Sequence, residues 1–338
     1  MAANDLPFAL IDRIDPTTHR PEEHKKLLER RQLPHFSSNH QQAAPYYKPS
    51  KDLLLAINMA LHTGSPLLLT GEPGTGKTQA AAFVGAYFGI KVYAFVVKST
   101  SVAQDLLYEF DAVGYLHWAQ AACHTPPGRQ PMAPDAIQAA THAVRQGFLH
   151  RRALWQAYDD AHDSVVLIDE IDKAPRDFPN DLLHELDQHS FPHPFDHREI
   201  IRPKCGRPPI VMITSNEERR LPDAFLRRCI FHRIELTPEL VADAVDSMAR
   251  ATSGPGEARG GNFPNLSPAA RQAAQKRFWD IRKVQGIDKK PSTAELLTWL
   301  CILSAQGVTV EALEHSHLQQ LPGIEALIKD YGDWQRLG

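Results

Sequence analysis

One stretch of the chain decides its fold: Gly71-Glu-Pro-Gly-Thr-Gly-Lys-Thr78. It matches the pattern G-x-x-x-x-G-K-[ST] of a phosphate-binding loop, which requires a strand before it and a helix after it. The apolar run 66–70 predicts a short buried strand, and the segment 77–88 has a helical pattern. Because the required context is present on both sides, the sequence predicts a genuine phosphate site rather than a glycine-rich turn.

The composition of this loop explains how it would bind a nucleotide. Its glycines allow backbone N–H groups to turn inward around phosphate oxygens, and the following helix adds the partial positive charge of its N-terminus. Lys77 is expected to reach the β- and γ-phosphates, and Thr78 to ligate Mg²⁺. The predicted nucleotide-binding residues are Gly71, Glu72, Pro73, Gly74, Thr75, Gly76, Lys77, Thr78 and Gln79.

Two further apolar runs end in polar side chains. The run 165–168 is followed by Asp169 and Glu170, and the run 210–214 leads to Asn216. Ligands bind where parallel strands end, so we expect Asp169 to orient Mg²⁺, Glu170 to polarise an attacking water and Asn216 to hydrogen-bond that water or a phosphate. The alternatives are that the carboxylates merely cap a strand and that Asn216 is an ordinary turn residue.

The order of elements predicts an α/β fold with a parallel sheet flanked by helices. Strand patterns stop after Thr237, and helix starts follow at Pro238, Pro268 and the capping box that opens at Ser292. We therefore predict three parts: an N-terminal extension over 1–44 that is partly ordered, a nucleotide-binding α/β domain over 45–237, and a small helical lid domain over 238–338. Insertions are expected near 111–150 and 187–208.

Composition and charge exclude other classes of protein. The chain has 338 residues, with 37 Lys and Arg against 40 Asp and Glu, a net charge of −3. Coating a nucleic acid requires clustered excess cations, so this balance disfavours a nucleic-acid binder. The four cysteines form no C-x-x-C pair, as in a reduced cytoplasmic protein. No signal peptide is predicted, because the first residues have no basic region followed by an apolar run. No membrane span is predicted either, because Gly85 and Gly89 interrupt the apolar stretch 80–97.

A histidine cluster raises the possibility of a zinc site. It consists of His184, His189, His193 and His197, with Cys205 beyond. A spacing of four residues would place ligands on one helix face, but Pro192 and Pro194 interrupt that helix. The sequence therefore favours a variable loop here over a metal site.

The motifs together resemble those of the AAA+ ATPases. The segments GEPGTGKT, LIDEIDKA and ITSNEERRLPDAFLRRC occur in the order and at the spacing of that family. Within it, SPLLLTGEPGTGKT and LPDAFLRR are similar to the MoxR-like clade, near the nitric-oxide-reductase and Rubisco activators. The resemblance covers about residues 46–305 and implies a P-loop NTPase fold and Mg²⁺-dependent hydrolysis of ATP to ADP and phosphate.

The same resemblance implies an assembly and a partner. Arg228 stands where relatives place an arginine that reaches the nucleotide of the neighbouring subunit, so the active form would be a homo-oligomeric ring, a hexamer. MoxR-like ATPases act on protein clients and are associated with von Willebrand A-domain proteins. The leading hypothesis is a chaperone or remodelling ATPase. The alternatives are an ATP-gated switch or scaffold with little turnover and, third, a nucleic-acid motor.

The sequence departs from the family pattern at one position. Many relatives carry an arginine that contacts the γ-phosphate at the start of the third lid helix, but here that position falls in Ser292-Thr293-Ala294-Glu295. Either another cation replaces this arginine, or the lid responds only weakly to the γ-phosphate. The nearest cations are Arg282, Lys283, Lys289 and Lys290.

Tyr46 and Tyr47 stand at the position where the chain of relatives runs past the adenine base of the nucleotide. We therefore expect Tyr47 to contact the base, with simple packing in the protein as the alternative.

Overall fold

A computed structural model describes residues 47–123, 144–196, 198–250 and 263–338. The expected N-terminal extension over 1–44 lies outside these residues, as do Tyr46, His197 and the Pro-rich core of the first insertion. The chain divides into two compact units. One, here called the sheet unit, comprises Pro49–Gly71 and Ala80–Ile234. The other, here called the helical unit, comprises Glu72–Gln79 and Glu235–Gly338, together with residues 47 and 48.

The sheet unit is built on a parallel sheet of five strands. Its strands are β1 (Leu67–Thr70), β2 (Lys91–Val96), β5 (Ser164–Asp169), β8 (Ile210–Ser215) and β9 (Ile230–Arg233). They lie in the order β2-β5-β8-β1-β9, with every neighbouring pair parallel. The runs Leu67–Leu69 and Val165–Ile168 are fully buried because helices cover such sheets on both faces. This confirms the predicted α/β fold class.

The remaining described elements of the sheet unit are two-stranded sheets and helices. A two-stranded sheet pairs β3 (Tyr108–Phe110) with β4 (Leu149–Arg151), and another pairs β6 (Phe191–Pro192) with β7 (Ile200–Ile201). The helices are α1 (Lys51–Thr63), α2 (Lys77–Phe88), α3 (Gln104–Leu107), α4 (Ala112–Cys123), α5 (Ala153–Asp159), α6 (Phe178–Asp181), α7 (Leu183–Gln188) and α8 (Asp223–Leu226). The first residues of α2, Lys77–Gln79, belong to the helical unit.

Helix α1 illustrates how local sequence sets the boundaries. The Ser50 hydroxyl accepts the N–H of Leu53 at 3.1 Å and caps the first turn. Gly64 ends the helix in the left-handed conformation at φ 67°, which costs glycine no steric energy. The sequence predicts a helix that Ser50 caps and Gly64 ends, and the structure confirms both ends.

The sequence has a helical pattern over 102–110, and the helix that this pattern predicts is wrong in its second half. Helix α3 ends at Leu107, and Tyr108–Phe110 forms strand β3 against β4. Local periodicity could not show this, because the pairing partner Leu149–Arg151 lies far along the chain. Leu106 and Leu107, the apolar residues of α3, are buried in the core.

In the described part of the helical unit, five α-helices follow Glu235. They are α9 (Pro238–Arg250), α10 (Pro268–Lys283), α11 (Thr293–Gln306), α12 (Val310–His315) and α13 (Tyr331–Gln335). Their core includes the fully buried Phe278, Trp299 and Leu300. The predicted starts are confirmed: Thr237 and Ser267 accept first-turn N–H groups, and Ser292 and Glu295 form the capping box. Among the described residues, no helix is long and apolar enough to cross a membrane.

Candidate nucleotide-binding site

The phosphate loop adopts the conformation its glycines predict. Gly74 and Gly76 have positive φ angles of 78° and 87°, which an L side chain rarely adopts. The carbonyl oxygen of Glu72 accepts hydrogen bonds from the Lys77 ammonium at 2.8 Å and from the Thr75 hydroxyl at 3.0 Å. These bonds close the loop on itself and hold the buried Lys77 in place.

Tyr47 packs against this loop. A Cβ atom added to Gly76 would lie 2.9 Å from the ring carbon Cε2 of Tyr47, which shows how closely the ring approaches the backbone. Burial raises the pKa of the Tyr47 phenol well above its ordinary value. The structure thus brings Tyr47 to the loop, as a packed side chain.

One lid cation reaches the loop. The Arg282 guanidinium, which is 8% exposed, forms an ion pair with the Glu72 carboxylate at 2.5 Å. It also donates to the carbonyl oxygen of Pro291 and lies over the rings of Phe278 and Trp279. Of the four cations that the sequence left as candidates, Arg282 is therefore the one held at the loop, where its partner is a carboxylate.

At the carboxyl edge of the sheet, Thr214 links the predicted Mg²⁺ ligand Asp169 to the predicted general base Glu170. The Thr214 hydroxyl donates to Oδ1 of Asp169 at 2.5 Å and accepts the backbone N–H of Glu170 at 2.9 Å. Thr214 is 1% exposed, so this geometry is shielded from water. Sequence reasoning missed Thr214, although its place near the end of β8, beside β5, could have indicated it.

The carboxylate of Glu170 is engaged by a neighbouring cation. Its Oε2 lies 2.5 Å from the Lys173 ammonium, three residues on. The hydrogen bond from Lys173 to Glu170 raises the pKa of the lysine. Glu170 has φ 60° and ψ 48°, a left-handed conformation that is strained for a non-glycine residue. The backbone thus turns sharply immediately after β5, at the predicted general base.

Asp172 positions the segment that carries Asn216. The Asp172 side chain is buried, and its two oxygens accept the N–H of Asn216 at 3.2 and 3.1 Å and the N–H of Glu218 at 2.9 Å. A carboxylate that accepts several backbone N–H groups fixes the path of the chain after β8. The structure therefore brings Asp169, Glu170 and Asn216 to one edge of the sheet. Sequence reasoning did not single out Asp172.

Arg228 is held within its own chain, away from these groups. Its Nε donates to Oδ2 of Asp187 at 2.7 Å, and its Nη1 donates to the carbonyl oxygen of Ala224 at 2.9 Å. Its side chain is 44% exposed. The helix end therefore presents this arginine at the surface of the sheet unit.

The histidine cluster forms no metal site within the part of the chain that the structure describes, where no group of three His, Cys, Asp or Glu side chains could hold an ion. His193 is buried against Trp155, and its Nδ1 accepts the N–H groups of Phe195 and Asp196. Burial lowers the pKa of His189. These contacts assign His193 to packing and loop structure.

Comparison with known proteins agrees with this fold. Residues 67–238 match the model of the "ATPase family associated with various cellular activities (AAA)". The chain belongs to the AAA family of ATPases. The match of this AAA ATPase includes the phosphate loop, both catalytic strand ends and Arg228, and it stops at the start of the helical region. Membership of the family implies nucleotide binding.

Two further comparisons add little to the family assignment. A search among curated proteins gives no significant match. Among solved structures, the AAA ATPase is similar to a protein from Cytophaga hutchinsonii named "putative ATPase". The two are 13% identical, the similarity covers 84% of this chain and 82% of the other, and the TM-score is 0.40.

Proposed function

We propose that this AAA ATPase binds ATP with Mg²⁺, hydrolyses it, and uses the energy to remodel a protein partner, as MoxR-like proteins do. The observation that carries the catalytic part is the hydrogen-bond chain from Asp169 through the Thr214 hydroxyl to the backbone of Glu170. Such a buried chain fixes two adjacent carboxylate residues in a defined geometry, and preorganised polar groups are what hydrolysis requires.

Each residue has a defined role in this proposal. Lys77 contacts the phosphates, and the loop N–H groups cradle them. Thr78 and Asp169 hold Mg²⁺, which neutralises charge on the phosphate oxygens when bound. Glu170 accepts a proton from the attacking water, and Asn216 orients that water or the phosphate. The positive-φ loop glycines and the buried Lys77 fit the requirements of such a ligand.

Phosphate release tests this proposal. Glu170→Gln keeps the shape of the side chain but removes its basicity, so steady-state release should fall ~100-fold or more. The affinity for ATP should stay within about twofold, because the phosphates are bound elsewhere. Glu235→Gln, at an exposed glutamate, is the matched control and should behave as wild type. Equal release from Glu170→Gln and wild type would contradict the assignment of the base.

The second candidate is an ATP-gated switch with little turnover. The ion pair between Glu170 and Lys173 favours it, because a carboxylate held by a cation is less available to water. This candidate predicts tight ATP binding without phosphate release by the wild-type chain, with or without a partner. Measurable release that depends on Glu170 would exclude it.

We further propose that Arg228 acts across a subunit interface in a hexameric ring, where it would exchange Asp187 for a phosphate. The test mixes two inactive variants, Arg228→Ala and Glu170→Gln. If the arginine acts in trans, mixed rings contain some interfaces with both groups intact, and activity returns. Mixtures as inactive as the separate variants would contradict this. The Glu170→Gln variant in ATP also serves to capture the client, for which we propose a von Willebrand A-domain protein.

A further inference from the structure

A cavity of about 590 Å³ lies in the sheet unit, next to the chain segments that carry Glu170 and Asn216. Its walls come from two stretches of the chain, 171–180 after strand β5 and 219–223 after strand β8. The volume is in the range of sites that enclose a small molecule or a few side chains of a peptide. None of its lining residues is among those assigned above to the nucleotide, so this cavity differs from the candidate nucleotide site.

The cavity is mainly apolar at depth and mainly charged at its rim. The buried lining residues are Ile171, Asp172, Ala174, Pro179 and Leu221. The charged residues at the rim, all exposed, are Arg176, Asp177, Arg219, Arg220 and Asp223. The one buried carboxylate, that of Asp172, is already engaged, because it accepts the N–H groups of Asn216 and Glu218. A ligand would therefore meet apolar side chains inside the cavity and charged groups at its mouth.

Arg219 reaches from one wall of the cavity to the other. Its Nη1 lies 3.5 Å from the carbonyl oxygen of Ala174, which belongs to the opposite stretch of the chain. That distance is long for a hydrogen bond, and a guanidinium has five N–H donors, so most donors of Arg219 are available to a ligand. Arg176, on the wall of Ala174, forms no ion pair within the part of the chain that the structure describes.

The charges at the rim leave a small positive excess. Asp223 is paired with Arg220 at 3.1 Å. Arg176 and Arg219 then stand against Asp177 alone. Guanidinium groups bind carboxylates through paired hydrogen bonds, and the apolar interior suits an aliphatic side chain. A phosphate group would use the arginines and leave the interior empty, so the combination favours a peptide with both kinds of side chain.

We propose that this cavity binds a short segment of a partner protein in which acidic and aliphatic residues alternate. Arg176 and Arg219 bind its carboxylates, and its aliphatic side chains enter the interior beside Ile171 and Leu221. The bound segment lies next to the stretch of backbone that follows Glu170. That the partner is a client for remodelling rests on the proposed function, whereas the binding itself needs no nucleotide, so the two can fail separately.

Fluorescence anisotropy of labelled peptides, with the full chain and without nucleotide, tests this proposal. The probe is a short peptide of alternating Glu and Leu, blocked at both ends, and its neutral match has Gln in place of Glu. The wild-type chain should bind the Glu-Leu peptide saturably and ~10-fold more tightly than the Gln-Leu peptide, because arginine hydrogen-bonds a carboxylate more strongly than an amide.

Paired variants locate the binding site. The double variant Arg176→Gln with Arg219→Gln should weaken binding of the Glu-Leu peptide ~10-fold or more, because both guanidinium groups are lost. The double variant Arg198→Gln with Arg202→Gln is the matched control. It removes two exposed arginines of the same unit that lie outside the cavity, and it should bind as wild type.

Three results would overturn the proposal. They are an absence of saturable binding of the Glu-Leu peptide by the wild-type chain, equal affinity in the Arg176 and Arg219 double variant, and tighter binding of a Lys-Leu peptide than of the Glu-Leu peptide. A wild-type chain that binds the Glu-Leu peptide as expected but releases no phosphate from ATP would support the site and contradict only the proposed hydrolysis.

Discussion

The two regions that carry the predicted site residues are held in place by different means. At the sheet edge, a chain of hydrogen bonds through Thr214 and Asp172 fixes the backbone that carries Asp169, Glu170 and Asn216. At the phosphate loop, close packing does much of this work: Tyr47 approaches Gly76, and the start of α11 approaches Gly74.

The difference indicates what each region is prepared for. At the sheet edge, Thr214 and Asp172 already have partners, so these residues act as supports and the geometry persists without a ligand. At the start of α11, the buried Thr293 hydroxyl has no hydrogen-bond partner among the described residues. Groups of that kind gain most when a ligand arrives. The sheet edge is therefore preorganised for chemistry, and the loop region is prepared for binding.

The largest effect is expected where packing leaves no space. Gly74→Ala should weaken ATP binding ~100-fold, because the new methyl group would force the loop away from α11 by a fraction of an ångström or more. Gly64→Ala is the matched control: Gly64 also has positive φ, but nothing lies within 4 Å of its added Cβ. That control should cost about 1 kcal/mol of stability and leave binding unchanged. Calorimetric titration of both variants with ATP measures these affinities. Equal ATP binding by Gly74→Ala and Gly64→Ala would show that close packing at Gly74 does not set the geometry of the loop.

An intermediate effect is expected at the sheet edge. Thr214→Val keeps the shape of the side chain but breaks the link between Asp169 and Glu170, so turnover at saturating ATP should fall ~10-fold. The free energy of unfolding should decrease by about 1–2 kcal/mol, because the N–H of Glu170 loses its partner. Thr214→Ser should restore both values. Stopped-time phosphate assays and urea unfolding measure these quantities, and normal turnover by Thr214→Val would show that this hydrogen-bond chain is not needed.

The smallest effect is expected at Lys173, whose ion pair with Glu170 is partly exposed. Such pairs contribute up to ~1 kcal/mol, so Lys173→Met should raise turnover about two- to fivefold by freeing the carboxylate. Because the pKa of Lys173 is raised in the folded protein, the lysine keeps its charge through neutral pH, and the pair is lost in alkali as pH rises through that raised value. Lys173→Arg keeps the charge and should retain wild-type turnover. A fall in turnover with Lys173→Met would instead identify the pair as a support for Glu170.

Much of the fold could be predicted from local patterns. The limits of α1 follow from Ser50 and Gly64, and the start of α2 follows from the end of the loop at Lys77, because caps and glycines act within a few residues. Strand β3 could not be predicted, since its pairing partner is distant in the sequence. The roles of Thr214 and Asp172 could not be predicted for the same reason, because their hydrogen-bond partners lie more than forty residues away in the sequence. Neither residue type is diagnostic of a site by itself.

The sequence by itself determined the phosphate loop, the polar ends of two strands and the alternation that predicts a parallel sheet, because these depend on short motifs and local periodicity. Only the tertiary structure decided which cation serves the loop, which hydroxyl joins Asp169 to Glu170, and that Arg228 binds Asp187 in its own chain. It alone also revealed that the start of α11 packs against Gly74. Such facts depend on which distant groups become neighbours, and that is set by packing.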